Sequence, residues 1–415
     1  MKLKFLVLAV LIISAPVSAG NGEILTLDRC TGIALKNNPL IQSYNHQYRA
    51  AIARTRQAKA IPDPEISLDF DLQPKLFDFP GAGESYVGVS QLIEFPGRRY
   101  LRGKIAGKEA DEFFCDFQSA RLDLLYRVKK AFYELLLTKE EKQYAAENLT
   151  HAKDFLNKAR EKYESGDVSK LEVLRARVEA ARAENRKKIT LTKIKLAKSS
   201  LNFVLAREKH RPIEIRGSLK RPFPALDLEK LTARALQERA EIKKVNFALQ
   251  KEKLNRTQAY LSYLPDFSLG LSRHRITAEP TTWDVTLSFQ VPLLFWQKER
   301  GEIAEARANV ASQKAGLKYI GLAIALEVEN AFHNAVSFRS QIEFLEKEVL
   351  HEAEEVYRMS SISYKEGKIG SIELITSRKT LLEIKQSYAE TLLNYRLALA
   401  ELEKSVGAPV EGEKK

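Results

Sequence analysis

Cysteine is nearly absent. Only Cys30 and Cys115 occur in 415 residues, which excludes the disulfide-dense frameworks of small secreted proteins. One bridge between them is the alternative, but the helical plan of the chain puts them at different heights, so two separate thiols are expected. Histidine is scarce too. His46, His151, His210, His274, His333 and His351 are dispersed, with no H-E-x-x-H and no i, i+4 pair on which a metal site rests. Phosphate loops of the GxGxxG or Walker A kind are missing, so no cofactor is expected and energy must come from elsewhere. No catalytic constellation stands out, and an enzyme is not expected. Nor is there an uninterrupted apolar run of about 18 residues after the first turns of the chain, the length a membrane-spanning helix needs.

What is there begins with a leader. FLVLAVLII (Phe5 to Ile13) follows Lys2 and Lys4 and precedes Val17-Ser18-Ala19. A basic end, a short apolar run and a small-residue cleavage site make a secretory signal over residues 1–19. Cleavage leaves Gly20 rather than a cysteine, so an exported, unlipidated chain is expected. The net charge is +13, or +11 without Lys2 and Lys4. Such a balance suits nucleic acid, yet Lys and Arg are interleaved with Glu along stretches such as ARVEAARAENRKK (Ala176 to Lys188). A solvated helix face, and no nucleic-acid partner, is the reading that fits an exported chain.

The chain is also written twice. YESGDVSKLEVLRAR (163–177) returns as YKEGKIGSIELITSR (364–378), with Tyr163 and Tyr364, Gly166 and Gly367, Glu172 and Glu373, and Arg177 and Arg378 all 201 positions apart. Leu27, Leu35 and Ile41 pair with Leu228, Leu236 and Ile242 at that offset, as PEISL (Pro64 to Leu68) does with PDFSL (Pro265 to Leu269). RGKIA (Arg102 to Ala106) matches RGEIA (Arg300 to Ala304) at 198. Landmarks in one order mark a tandem duplication.

Each copy follows one plan. A short helix and an ascending helix (28–60, then 227–262) lead into a strand of strict alternation. In EISLDFDLQ, Ile66, Leu68, Phe70 and Leu72 interleave with Glu65, Ser67, Asp69, Asp71 and Gln73. Such a strand has one apolar and one polar face. YVGVSQLIEF (Tyr86 to Phe95), FSLGLSRH (Phe267 to His274) and WDVTLSFQV (Trp283 to Val291) read similarly. Proline-free helical patterns then run from Gly97 to Tyr163 and from Lys298 to Tyr364. The first carries Ala110, Phe113, Phe117, Ala120, Leu124, Val128, Ala131 and Leu135 at helical spacing. At 1.5 Å per residue each makes a rod of about 100 Å. A tight turn reverses the chain into a returning helix in each copy. The expected organisation is a signal (1–19), a first repeat (20–207, with hairpin 64–95 and helical hairpin 97–207), a linker (208–226), a second repeat (227–406, with hairpin 265–292 and helical hairpin 298–406) and a tail (407–415).

The strands have the length and alternation for crossing an outer membrane. Tyr86, Phe95, Trp283, Phe295 and Trp296 near their ends suit lipid interfaces. A soluble rod with its two hairpins packed on its own helices is the other reading of the same pattern. In lipid, four strands leave open edges whose unpaired backbone costs several kcal/mol per group, so the membrane reading requires further copies. The duplicated plan, PEISLDF and PDFSLGL entering the strands, and the two Y-x-x-G-x(5)-E turns together resemble the TolC-type outer-membrane efflux proteins over the whole mature chain. YVGVSQLIEFPGRR (Tyr86 to Arg99) is similar in particular to the branch serving heavy-metal efflux pumps.

The resemblance implies an α plus transmembrane β fold. Three protomers give four strands each to a 12-stranded outer-membrane barrel, continued by a helical tunnel in the periplasm. It implies a passive exit duct for small solutes, metal cations among them, with two partners: a periplasmic adaptor and an inner-membrane pump of the resistance-nodulation-division type. A duct for type I protein secretion has the same architecture. The turns become the periplasmic mouth, where Glu373 matches the family's first gate acid and Thr376 stands at the second, making this mouth less acidic. Glu172 is the companion of Glu373 in the first copy. Helix-end electrostatics is the competing account of both glutamates. Gly166, Asp167, Val168, Ser169, Gly367, Lys368, Ile369 and Gly370 become the tips that meet the adaptor.

Overall fold

The computed structural model describes residues 24–220, 222–291 and 296–410. The expected signal, Phe295 and the last five residues of the expected tail lie outside them. Among the described residues no helix is long and apolar enough to cross a membrane.

The two copies begin alike. After a two-residue strand β1 (Ile24–Leu25), α1 (Leu27–Asn37) and α2 (Pro39–Ala58) meet at Asn38, which ends one helix and caps the next. Its Oδ1 accepts from the Leu40 backbone N–H at 2.9 Å, and Pro39 sits where a helix loses nothing by lacking an N–H. The strands β2 (Glu65–Asp71) and β3 (Glu84–Ile93) follow, then the 67-residue helix α3 (Arg98–Glu164) and its return, α4 (Lys170–Val204). A second two-residue strand, β4 (Glu214–Ile215), pairs in parallel with β1. The second copy repeats the order as α5 (Leu228–Glu238), α6 (Ala240–Leu261), β5 (Phe267–Ile276), β6 (Thr282–Phe289), α7 (Glu299–Phe344), α8 (Leu350–Lys365) and α9 (Ser371–Val406).

The second descending rod differs from the uninterrupted helix expected over 298–364. A π turn, Leu345–Val349, divides α7 from α8. AFYELL and AFHNAV stand 200 apart, whereas the turn tyrosines stand 201 apart, so the second copy has one extra residue between them. An extra residue in a continuous α-helix would rotate everything beyond it by about 100°. A π turn absorbs a single inserted residue without that rotation. The apolar stripe stays in register above it: Leu124, Val128, Ala131 and Leu135 are buried, and so are Ile324, Val328, Ala331 and Ala335, each 200 positions on.

The largest core lies at mid-height. Leu25, Cys30, Ala34, Leu124, Val128, Phe132 and Leu135 pack with Leu201, Leu205, Tyr395 and Ala398. The stretch expected as a linker joins this core, because Ile213, Ile215 and Leu219 bury their side chains there and the buried Arg396 Nε donates to the Leu219 carbonyl at 2.8 Å. Cys30 and Cys115 are both buried thiols, on α1 and α3.

The hairpins form one antiparallel sheet in the order β2-β3-β5-β6. β2 stops at Asp71, earlier than the expected Gln73, since Leu72 takes φ +53° and turns the chain out of the ladder. Register sorts the side chains. Ile66 lies opposite Val89, Val89 opposite Leu271, and Leu271 opposite Val285. Leu68, Val87, Leu269, Leu287, Phe267 and Phe289 fall on the same face by alternation. These apolar residues are almost all exposed, Val285 at 73%; they are not folded onto the chain's own helices.

Candidate functional site

Each long helix ends in the same way. At the first turn Gly166 takes φ +83°, the Gly166 N–H donates to the Tyr163 carbonyl at 3.1 Å and the Asp167 N–H to the Lys162 carbonyl at 2.8 Å. At the second, Gly367 takes φ +74°, with Gly367 N–H to the Tyr364 carbonyl at 3.2 Å and Lys368 N–H to the Ser363 carbonyl at 2.9 Å. Both pairs of bonds make a Schellman motif, which satisfies the last helix carbonyls and needs a residue at ease in the left-handed region. Asp167, Ser169, Lys368 and Gly370 are exposed at the tips with both glycines, while Val168 and Ile369 are half-buried.

The side chains around the two turns are not equivalent. Tyr163 is 46% exposed, whereas Tyr364 is 4% exposed. Tyr364 stacks edge-on against Phe155 at 5.5 Å, with Lys162 Nζ 4.7 Å above its ring and donating to its carbonyl at 3.2 Å. Burial and the Glu172 carboxylate beside it push the Tyr364 hydroxyl up to about 12. Arg177 is exposed, but Arg378 turns into the seam, 3.8 Å from Glu179, and burial lowers its pKa. Tyr364 and Arg378 thus face the first copy's helices, whereas Tyr163 and Arg177 face outward.

Glu172 takes part in that seam. Ser169-x-x-Glu172 has the spacing of a capping box, yet no side chain caps α4 there. The Glu172 Oε1 instead accepts from the Ser371 backbone N–H at 3.4 Å, at the start of α9. A carboxylate at a helix N-terminus is favoured by the exposed N–H groups and by the helix dipole. Glu373 is exposed and curls back on its own cap: a Cβ on Gly370 would stand 3.0 Å from its Oε2. Thr376 is exposed one turn on. The two glutamates matched by sequence therefore sit in different settings, one bridging the hairpins and one facing solvent.

The sheet supplies the other chemistry. Tyr86 lies between Asp69 and His274 in register and faces away from the apolar side. It was expected near a lipid interface; alternation puts it on the polar face. Its hydroxyl donates to Glu84 Oε1 at 2.6 Å and its ring stacks on His274 at 4.1 Å. His274 Nε2 lies 2.7 Å from the same oxygen, and Nδ1 lies 4.0 Å from Asp284. Trp283 does stand on the apolar face, opposite Arg273. This cluster was legible only through the cross-strand register. No group of three or more His, Cys, Asp and Glu positioned to hold a metal ion occurs among the described residues.

A family model described as outer membrane efflux protein matches residues 31–206 and again 231–408, one match per copy. The cobalt-zinc-cadmium resistance protein CzcC of Cupriavidus metallidurans is 22% identical over 379 residues, covering 89% of this chain and 86% of its own. Among solved structures, the CmeC outer membrane channel of Campylobacter jejuni superposes with a TM-score of 0.79 at 15% identity, covering 94% of this chain and 87% of that one. The outer membrane protein VceC of Vibrio cholerae gives 0.76 at 15% identity, covering 92% and 96%.

Proposed function

We propose that this chain, which belongs to the outer membrane efflux protein family, closes its four-stranded sheet with two further copies into a 12-stranded barrel. As a family member it is an outer-membrane channel whose helices extend into the periplasm. The observation that carries the assembly is the sheet itself: β2 and β6 are open edges, and the face they bound is apolar and uncovered. Lipid offers no partners to an open edge, and the smallest membrane barrels have about eight strands. Three copies, the number that the family resemblance implies, supply twelve. The apolar side then faces lipid, and Asp69, Glu84, His274 and Asp284 face the water-filled lumen.

The channel serves as the exit duct of a tripartite system, with a periplasmic adaptor and an inner-membrane pump of the resistance-nodulation-division type. Metal cations are the cargo this reading favours. The name of the resistance protein CzcC supports it, as do the carboxylates on the sheet's polar face, which attract cations into a pore. The two Schellman turns are the adaptor-facing tips, and the solvent-facing Glu373 is the gate acid. Glu172 holds the paired hairpins together rather than lining the mouth. Opening is a two-state parting of the tip helices, biased by adaptor contacts.

Cysteines placed at Ser169 and Gly370 test the docking. In cells with an active efflux system they are expected to crosslink to a pump adaptor; recovery of none in such a strain contradicts the assignment, and recovery of a protein-secretion adaptor redirects it. Glu373→Ala is expected to weaken divalent-cation block of conductance in planar bilayers roughly fivefold, the effect of about 1 kcal/mol for a partly solvated charge. Unchanged block would remove Glu373 from the gate and leave the fold untouched.

A further inference from the structure

Where β3 passes through Pro96 and Gly97 into α3, a groove of about 1300 Å³ opens between α2, α3 and the end of the sheet. Ile61, Leu92, Ile93 and Phe95 line it together with Lys59, Arg99 and Lys104. Ile93 lies opposite Phe267 and belongs to the apolar face of the sheet. Leu92, opposite Ser268, belongs to the polar face, so the groove lies at the end of the sheet, below the apolar band, with side chains of both faces in its lining.

Charge in the groove is not balanced from within. Glu94 is paired with Arg102, and Asp111 with Lys108 at 3.0 Å. Among the described residues Lys59 and Arg99 have no carboxylate partner, and Lys104 Nζ rests 4.7 Å above the exposed Tyr100 ring. Two glycines make the room. A Cβ on Gly103 would come within 2.6 Å of Lys59 Cγ, so its absence lets the lysine stem cross α3; a Cβ on Gly107 meets nothing within 4 Å. The other repeat is an internal control. At the offset of 198, Lys104, Gly107 and Lys108 become Glu302, Glu305 and Ala306, and a groove between α6 and α7 is lined by Glu252, Glu302 and Glu305 together with Arg98 of the first copy. The positive groove is a property of the first copy, not of the duplicated scaffold.

We propose that this groove binds the phosphate headgroup of an anionic glycerophospholipid in the periplasmic leaflet, with its acyl chains running up the apolar face beside Ile93 and Val89. Basic pockets at the membrane boundary recognise lipid phosphates, long cationic side chains reach the headgroup level from apolar ground, and an exposed tyrosine suits that depth. The inference rests on the membrane placement proposed above.

Native mass spectrometry of the purified full-length protein, titrated with phosphatidylglycerol in neutral detergent, tests it. Wild type is expected to retain the lipid, and uncharged diacylglycerol is not. Lys59→Gln, Arg99→Gln and Lys104→Gln combined should weaken retention on the order of a hundredfold, about fivefold per charge removed. Heat-modifiable migration of the variant checks its assembly. Gly107→Leu fills the groove without altering charge and should also abolish retention. A triple variant that keeps phosphatidylglycerol as wild type does, or equal retention of diacylglycerol, overturns the site alone. A wild-type protein that stays dispersed without detergent overturns the membrane placement beneath it.

Discussion

Arginine in place of Leu271 is expected to keep the protein out of the outer membrane. Leu271 sits mid-strand on β5, opposite Val89 on one neighbour and Val285 on the other. A charge at the midplane of a membrane barrel's lipid face costs about 2–4 kcal/mol, and a trimer would bear that cost three times. The adjacent Ser272 faces the other way, opposite Gly88 and Asp284, so Ser272→Lys puts a like charge into the aqueous lumen and should be tolerated. Abundance in the outer-membrane fraction, together with heat-modifiable migration on gels, separates the two. If both variants accumulate equally, the assignment of faces is wrong and the sheet is not in lipid.

Loss of Arg239 is expected to destabilise the helical part more than loss of its counterpart in the first copy, Asn38. Arg239 separates α5 from α6 and is 7% exposed. Its Nε pairs with Glu241 at 2.8 Å, and its Nη1 with Glu327 at 3.0 Å while donating to the Ser405 carbonyl at 2.9 Å. It thus clamps the helix break to the end of α9, where a cation also suits the dipole. Glu241 and Glu327 are 35% and 54% exposed and keep access to water when Arg239 is removed, so the loss is mainly the charged hydrogen bond to the Ser405 carbonyl, about 2–3 kcal/mol. Asn38, 201 positions earlier, holds the equivalent break with a neutral bond from Nδ2 to the Val204 carbonyl at 2.9 Å. Asn38→Ala should cost about 1–3 kcal/mol. Urea unfolding followed by the helical circular-dichroism signal measures both. Equal losses would show that the charge of Arg239 adds nothing to the clamp.

That pair shows what reading the sequence can and cannot reach. The repeat places Asn38 and Arg239 in correspondence, but nothing in either name says that both reach the carbonyl ending a helix more than 160 residues away in sequence. The turns were fully legible: a glycine between helical stretches predicts a left-handed C-terminal residue, because only there is a side chain a penalty. Alternation likewise foretold a two-faced sheet. The π turn was hidden, although a change of offset from 200 to 201 between landmarks was its signal. Tyr86 is aromatic and close to a strand end, as an interface residue would be, yet strand parity decides which side of a sheet a residue meets and puts it opposite Asp69 and His274.

The duplicated plan, the rod lengths, the Schellman turns and the greasy face of the strands were all written in local spacing, since helix and strand periods depend on residues a few positions apart. Tertiary structure alone decided that Glu172 bridges to α9 while Glu373 faces solvent, that Tyr364 is buried while Tyr163 is not, and that a cationic groove forms beneath β3. Each of these depends on which neighbour a side chain meets across elements far apart in the chain. Two copies of one motif cannot occupy the same side of the same seam, so packing had to break the symmetry that the repeat carries.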